Sequence, residues 1–368
     1  MSQLSLAATP SANLAEQISL NCWYKIENKH LITTDFTPKA NQGVFSVAFG
    51  NELNVEQLLA IREFLAAQGV SNLSLCCYQP IADLPAAWSF HSDTTSVLSP
   101  LLLVEFAKQL GIQLVQLTNP PTVNEPGLLL MDMDSTAITI ECIDEIARLA
   151  DVYDEVAAVT AQAMAGQLDF AQSLKQRVAK LEGIDVDLID GLKARLPLMP
   201  GVSELCQYLK AHNWHLAIAS GGFVPFAEQV QSLLDLDEVH ANTLEFKDNR
   251  LTGKVIGTIV DAEEKARVLK RIEQKLTLNN RQTVAMGDGA NDLKMMAAAG
   301  LGVAVHGKPK VVEQAQTAIN EGSLLQVAYL LSLPLDYSLY PSRFAFTHFR
   351  DQPLVNIKMG KRFFGYIN

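Results

Sequence analysis

Leu128-Leu129-Leu130-Met131-Asp132-Met133-Asp134-Ser135-Thr136 is the stretch whose reading decides the fold. Four consecutive apolar residues, entered through Pro126-Gly127, predict a short strand buried in a parallel sheet. That strand delivers two carboxylates, Asp132 and Asp134. Positions two apart on an extended chain point to the same side, so both can address one small volume. Two anions so placed are costly unless a cation or a shared proton compensates. A lone Asp-x-Asp reads as an Asx turn and a helix cap, so the ends of the other strands decide the matter.

Downstream, Ile143, Ile146, Ala147 and Ala150 repeat at helical spacing, and Met164, Phe170, Leu174, Val178 and Leu181 continue it up to Leu196-Pro197-Leu198-Met199-Pro200-Gly201. This much helix between one strand and the next exceeds a simple crossover. It predicts an inserted helical cap at about residues 140–200. Strand, helix and loop then alternate. A helix through Leu205 and Leu209 precedes a strand, His215 to Ala219, that ends in Ser220-Gly221-Gly222. A helix from Phe226 leads to a hairpin around Lys247-Asp248-Asn249. A helix from Glu263 to Leu276 is followed by the strand Thr283 to Met286, then Gly287-Asp288-Gly289-Ala290-Asn291-Asp292, and a last strand from Gly302 to Val305. The fold class is therefore α/β, a doubly wound, Rossmann-like parallel sheet over residues 125–331, with ligands beyond the carboxyl ends of its strands.

Upstream, residues 1–120 read as an α+β domain. Its first 20 or so residues are expected to be poorly ordered. Strands follow at Val44 to Phe49, Leu73 to Tyr78 and Gln113 to Leu117, with helices through Leu58, Leu59, Ile61 and Leu65 and from Leu101 to Leu110. This unit holds no cluster of ionisable groups, which leaves docking or ligand sensing open. Thr118 to Gly127, with three prolines, reads as a linker. The tail, residues 334–368, is aromatic and basic (Arg343, Arg350, Lys358, Lys361 and Arg362 against Asp336 and Asp351). It fits equally a docking segment and an unselected extension.

At 368 residues, two or three domains are expected, and a hydrophobic share of 48% suffices for their cores. The net charge of −11 argues against nucleic acid and anionic membranes as partners. No apolar run reaches the length of a membrane span and no secretory signal is evident. Five cysteines (Cys22, Cys76, Cys77, Cys142, Cys206) without metal-ligand spacing suit a reducing cytoplasm. A homo-oligomer is left open.

Three strands thus end in polar loops, and the topology brings those loops to one edge. Asp132, Asp134 and Asp288 supply hard oxygens suited to Mg²⁺. Ser220 and the glycine amides after it can donate to phosphate without a side chain in the way. Lys265 is the cation available to neutralise that phosphate.

In this order the four stretches, Asp-Met-Asp-Ser-Thr, Ser-Gly-Gly, Lys265 and Gly-Asp-Gly-Ala-Asn-Asp, resemble the motifs of the haloacid dehalogenase superfamily of phosphatases. Asp132 to Arg148 and Phe170 to Arg177 resemble more narrowly its phosphoserine phosphatase branch. The resemblance covers about residues 125–331 and implies hydrolysis of phosphoserine, the small-molecule substrate, in the last step of serine biosynthesis. It implies that Asp132 is the nucleophile that forms an aspartyl-phosphate. Asp134 would be the general acid and base. Asp132, the Asp134 carbonyl and Asp288 would hold Mg²⁺, with Asp292 orienting Lys265 or a metal water. Ser220, Gly221, Asn291 and Lys265 would bind phosphate oxygens. Glu141 would take the substrate ammonium and Arg177 its carboxylate, and Met164 and Phe170 would be lid contacts.

Other readings compete. Glu141 and Arg177 taken alone are more readily a salt bridge within the cap. Cys142 and Arg148 match the Cys-x5-Arg spacing of tyrosine phosphatases, but they lie on an amphipathic helix, which turns the two side chains to different faces; Cys142 is expected to pack the cap. His306 is expected to be structural. A related phosphatase or phosphotransferase for another small phosphomonoester is the alternative enzyme. A metabolite-sensing regulator with an inert phosphatase-like unit is the alternative outside catalysis, against which the intact Asp132, Asp134, Lys265 and Asp288 stand.

Overall fold

In the computed structural model, which describes residues 3–6, 18–27, 30–51 and 53–337, the chain builds two seven-stranded sheets one after the other. The first contains β1 (Gln3–Ser5), β2 (Trp23–Glu27), β3 (His30–Thr33), β4 (Val44–Phe49), β5 (Ser74–Tyr78), β6 (Ala87–Ser92) and β7 (Gln113–Leu117), with α1 (Val55–Ala67) and α2 (Pro100–Gln109) between them. Its order is β1-β3-β2-β5-β6-β4-β7, and every pairing is antiparallel. Alternation divides its side chains between two cores. Ala48, Leu75, Cys77, Trp88, Phe90 and Leu114 pack with Leu58, Ile61 and Leu65 of α1. Phe45, Val47, Phe49, Cys76, Tyr78 and Leu117 face the second half of the chain.

The second half opens with β8 (Leu128–Met131), whose four residues are all buried as the apolar run requires. The helices α3 (Cys142–Leu149), α4 (Tyr153–Met164), α5 (Phe170–Ala179) and α6 (Val186–Lys193) form the inserted cap. Its entry and exit segments pair at Ile138 and Leu198, and Thr139 N–H donates to Pro197 O at 3.0 Å. Then come α7 (Val202–Ala211), β9 (His215–Phe223), α8 (Val224–Leu234), β10 (Glu238–Lys247), β11 (Arg250–Ile256), α9 (Ala262–Lys275), β12 (Thr283–Gly287), α10 (Leu293–Ala298), β13 (Leu301–Val305) and β14 (Thr317–Ile319). The order β11-β10-β9-β8-β12-β13-β14 is parallel except for β11, the second arm of the expected hairpin. Asp248 and Asn249 turn that hairpin with φ of 50° and 59°, the left-handed pair that a tight two-residue turn needs.

The α/β class, the parallel sheet and the helical cap stand as expected from the sequence. Several details differ. The strand expected to stop at Ala219 runs on through Phe223. β13 is not the last strand, since β14 pairs beyond it. β6 is not among the strands expected from the sequence: Ser89, His91 and Ser92 interrupt any apolar run, yet all six of its residues are buried between β5 and β4. Within the first 20 residues, expected to be poorly ordered, Gln3–Ser5 forms an edge strand; residues 7–17 lie outside the described residues, as does the tail beyond Tyr337.

The linker is tied down rather than slack. Gln282 accepts from Thr122 N–H and donates to Thr122 O, both at 2.8 Å, and Val123 N–H donates to Leu331 O at 2.8 Å. Tyr329 fastens the two sheets. Its ring stacks on Phe49 at 4.8 Å, its carbonyl accepts from the Tyr78 hydroxyl at 2.8 Å, and its own hydroxyl donates to Pro85 O at 2.7 Å. Trp23 Nε1 donates to Pro334 O at 3.0 Å, so the start of the tail docks on the first sheet. Among the described residues, no helix is long and apolar enough to cross a membrane.

Candidate active site

Parallel pairing in register sets the site. Leu128 to Met131 lie beside Thr283 to Met286 on one side and His215 to Ile218 on the other. The residues that follow each strand therefore emerge at one edge: Asp132 and Asp134, Ser220 to Gly222, and Asp288 to Asp292. Asp132 N–H donates to Met286 O at 2.9 Å, which extends the pairing by one step and fixes the first carboxylate. Beyond it the backbone turns sharply. The N–H groups of Thr136, Ala137 and Ile138 all donate to Met133 O, and Ser135 takes a left-handed φ of 56°.

Asp132 is buried and held through both oxygens. Oδ1 accepts from Met133 N–H at 2.7 Å; Oδ2 faces Lys265 Nζ at 2.7 Å and Asn291 Nδ2 at 3.5 Å. Lys265 reaches it from the first turn of α9, whose N-cap Asp261 accepts from Glu264 N–H at 2.8 Å. The same ammonium donates to Asp292 Oδ1 at 2.7 Å, and Asp292 Oδ2 accepts from Gly289 N–H at 3.0 Å. Lys265 and Asp292 are both fully buried. Burial alone would pull the lysine down; the two carboxylates outweigh it and hold Lys265 above its ordinary range, charged. Burial and the Asp132 charge push the Asp292 carboxyl up, against the pull of Lys265.

Asp134 is different in kind. Burial first, and the Glu141 charge second, raise it to about 8, against hydrogen bonds from Cys142. The Cys142 N–H donates to its Oδ1 at 3.3 Å. It is thus a carboxyl that can carry a proton near neutral pH, two residues from one locked to a lysine. Asp288 is raised by burial and by Asp132, and Thr136 Oγ1 donates to its Oδ1 at 3.4 Å. Oxygens of Asp132, Asp288 and Asp292 lie within 4.8 Å of one another; the Asp134 carboxylate is outside that group.

Ser220 is fully buried, and its Oγ accepts from Gly222 N–H at 2.9 Å. The glycines are required by crowding. A Cβ on Gly222 would lie 2.7 Å from Met133 Cε and 2.8 Å from Asp134 Oδ2, and one on Gly221 would lie 2.8 Å from Phe170 Cζ. Phe170 therefore covers this turn from the cap, whereas Met164, expected beside it, is 76% exposed.

Glu141 caps α3 and accepts from Ser135 Oγ at 2.8 Å. Arg177, near the end of α5, forms no ion pair among the described residues, and its buried Nε has no hydrogen-bond partner. Burial lowers its pKa, while the charges of Asp144, Glu141 and Asp134 oppose that. The salt bridge between Glu141 and Arg177 is not made. Cys142 packs in the core as expected, and His306 holds the β13 exit, donating its N–H to Ile319 O at 2.8 Å. Two contacts were not anticipated, Thr136 to Asp288 and Ser135 to Glu141. Both residues sit inside the first motif, but a hydroxyl's partner is set by the turn geometry, which the sequence does not carry.

Residues 129–297 match the family model of haloacid dehalogenase-like hydrolases. A curated phosphoserine phosphatase of Vibrio cholerae is 49% identical over 228 residues, covering 62% of this chain and 70% of its own length. That of Haemophilus influenzae is 46% identical over 229 residues, 62% of this chain and 73% of its own. Among solved structures, the unliganded probable phosphoserine phosphatase from Vibrio cholerae superposes with a TM-score of 0.65 at 39% identity, over 80% of this chain and 88% of that one. A phospho-aspartyl intermediate analogue of a phosphoserine phosphatase superposes with a TM-score of 0.52 at 37% identity, over 55% of this chain and 97% of that one. With a buried aspartate locked to a buried lysine, a protonatable aspartate two residues on and relatives this similar over most of their length, the chain belongs to the phosphoserine phosphatase family of haloacid dehalogenase-like hydrolases.

Proposed function

We propose that the chain hydrolyses O-phospho-L-serine to L-serine and phosphate through an aspartyl-phosphate, the last step of serine biosynthesis. The observation that carries this reading is the ammonium of Lys265, 2.7 Å from both Asp132 and Asp292 at the meeting point of three strand ends. Asp132 would attack phosphorus, and the bond from phosphorus to the serine oxygen would break as Asp134 gives that oxygen its proton. Asp134, now a base, would take a proton from water as the water attacks phosphorus and releases Asp132. Ser220, Gly221, Asn291 and Lys265 would donate to the phosphate oxygens, whose charge shifts during both steps. Glu141 would receive the substrate ammonium. Arg177, with its orphaned Nε, would receive the carboxylate, a match of planar forks.

The cluster of Asp132, Asp288 and Asp292 is a hard-oxygen donor set that fits Mg²⁺. Both Asp292 oxygens are already engaged by Lys265 and Gly289 N–H. By the family resemblance, Asp132, Asp288 and the Asp134 carbonyl would hold the ion, and Asp292 would support Lys265. When bound, the ion would neutralise charge on the phosphoryl group and its carboxylates. The proposed setting is the cytoplasm, since all five cysteines are free.

Phosphate release from a panel of phosphomonoesters, with and without Mg²⁺, tests the reading and separates phosphoserine from other small esters. EDTA should silence the enzyme and Mg²⁺ restore it, whereas Ca²⁺, with looser and larger coordination, should restore little. Full turnover in chelator would assign the carboxylates another task.

The two glycines after Ser220 should behave differently on substitution. Gly222→Ala sets a methyl against Asp134 Oδ2 and should lower kcat about 10²-fold, the cost of a displacement near 1 Å at a reacting group. Gly221→Ala meets only the far end of the Phe170 ring, which can swing, and should lower kcat less than about tenfold. Steady-state kinetics on both variants reads the difference; equal losses would mean that the Asp134 contact is not what Gly222 protects.

A further inference from the structure

We propose that Asn242 is a positioning residue for phosphate binding, which aims the Ser220 hydroxyl and joins the 220–222 turn to the start of α9. The inference rests on the reading above, in which Ser220 and Lys265 hold the phosphate. Asn242 lies on β10 and is fully buried. Its Nδ2 donates to Gly221 O at 2.8 Å, and its Oδ1 accepts from Val260 N–H at 2.9 Å. One amide thus grips two backbone segments, and the two bonds fix which end is oxygen and which is nitrogen.

The peptide between Gly221 and Gly222 is the first lever. Asn242 holds its carbonyl on one side. On the other, its N–H points at Ser220 Oγ, 2.9 Å away. A hydroxyl has one hydrogen to give and can accept two. Among the described residues this is the one hydrogen bond of Ser220 Oγ, and in it the oxygen accepts. The hydroxyl hydrogen is left to donate, and on a fully buried side chain the phosphate is the acceptor that the proposed reaction brings. The second lever is Val260, immediately before Asp261, the N-cap of α9. Lys265 stands in the first turn of that helix, so the Asn242 amide ties the turn carrying Ser220 to the segment that launches Lys265.

The pairing of β10 with β9 slips between His240 and Asn242, so that Asn242 stands opposite Phe223. The extra residues lie in β9, between Ala219 and Phe223, so the bulge is the 220–222 turn itself, set beside Asn242. A merely structural Asn would stand beside the same bulge and satisfy the same two backbone groups. The two accounts part on whether loss of Asn242 acts through Ser220.

A double-mutant cycle decides, using Asn242→Ala, Ser220→Ala and the pair, read by the inhibition constant of inorganic phosphate and by kcat/KM for phosphoserine. Ser220→Ala should lower kcat/KM about 10²-fold, as for loss of one donor to a charged transition state. Asn242→Ala should lower it about tenfold and weaken phosphate in parallel. The pair should lose clearly less than the product of the two single losses, because part of what Asn242 does runs through Ser220. Additive losses, or an unchanged phosphate constant in Asn242→Ala, would overturn the proposal. An unchanged constant in Ser220→Ala would instead remove the reading beneath it, and the proposal with it. Should Asn242→Ala fail to fold, the wild-type protein answers. On saturation with inorganic phosphate, the side-chain amide signals of Asn242 and the Gly222 amide should shift in a ¹H–¹⁵N spectrum. Signals that stay in place overturn the proposal.

Discussion

Asp132→Asn should lower turnover by at least about 10⁴-fold and leave the protein as stable as before, or more so. An amide cannot take up the phosphoryl group, so the step that splits hydrolysis in two is lost, not slowed. At about 1.36 kcal/mol per factor of ten, that loss is about 5 kcal/mol of barrier. The stability expectation comes from counting charge. Asp132, Asp288 and Asp292 crowd around one ammonium, that of Lys265. Removing the Asp132 charge relieves its repulsion with Asp288 and Asp292, and Lys265 keeps its bond to Asp292 at 2.7 Å. The Asn amide oxygen can still accept from Met133 N–H, and its NH₂ end then faces Lys265, a loss of one acceptor set against the relieved repulsion. Sites built from like charges trade stability for activity, and neutralising one charge often returns some. The measurements are kcat on freshly prepared protein, with deamidation excluded by mass, and the melting temperature. Beryllium fluoride added to wild type should be found bonded to Asp132. Turnover at the wild-type rate would end the covalent mechanism, and a large drop in melting temperature would make Asp132 a structural anion.

The site was legible because its chemistry sits where strands stop. A buried strand of a parallel sheet is an apolar run, and β8, β12 and β13 could be found by that alone. The candidate site loops after β8 and β12 then announced themselves as the polar break after such a run. The first sheet was harder to read for the same physical reason. Its β6 carries Ser89, His91 and Ser92 on buried positions, because neighbouring strands and the second core, not the strand's own composition, exclude water there. Its contact with the second half was equally hidden. Tyr329 lies in sequence far from Phe49, Tyr78 and Pro85, and no periodicity records a partner. Asn242 is the sharpest case. In Glu-Val-His-Ala-Asn-Thr-Leu-Glu-Phe it reads as one more polar residue of an alternating strand. Its two partners, Gly221 in the bulge of β9 and Val260 before α9, come from elsewhere in the chain. Propensity and pattern reveal which atoms are present; which two backbones one amide grips is a property of the assembled sheet.

Arg177→Ala should separate phosphoserine from a generic ester. Phosphoserine offers few atoms beyond its phosphate, so its carboxylate and ammonium must supply most of the discrimination. Arg177 lies on the cap helix α5, outside the motifs at the strand ends, and its buried Nε has no partner among the described residues. A half-buried guanidinium with an unused donor is an expensive arrangement for a merely structural residue. Asp144, Glu141 and Asp134 are the charges that act on it, yet none forms an ion pair with it. They favour the charged guanidinium against burial and leave its Nε free to donate to a carboxylate. Losing one partner of a desolvated charged pair costs roughly 2–5 kcal/mol. At about 1.4 kcal/mol per factor of ten, kcat/KM for phosphoserine should fall by about thirty-fold to several thousand-fold. With p-nitrophenyl phosphate, which has no carboxylate, the change should stay within about threefold, since nothing that Arg177 holds has been removed. The informative quantity is the ratio of the two constants in wild type and variant, because a general weakening of the cap cancels in it. A fall that is equal for both esters would place Arg177 with the phosphate or with the cap's own packing, and phosphoserine would lose the residue that most distinguishes it from any other small ester.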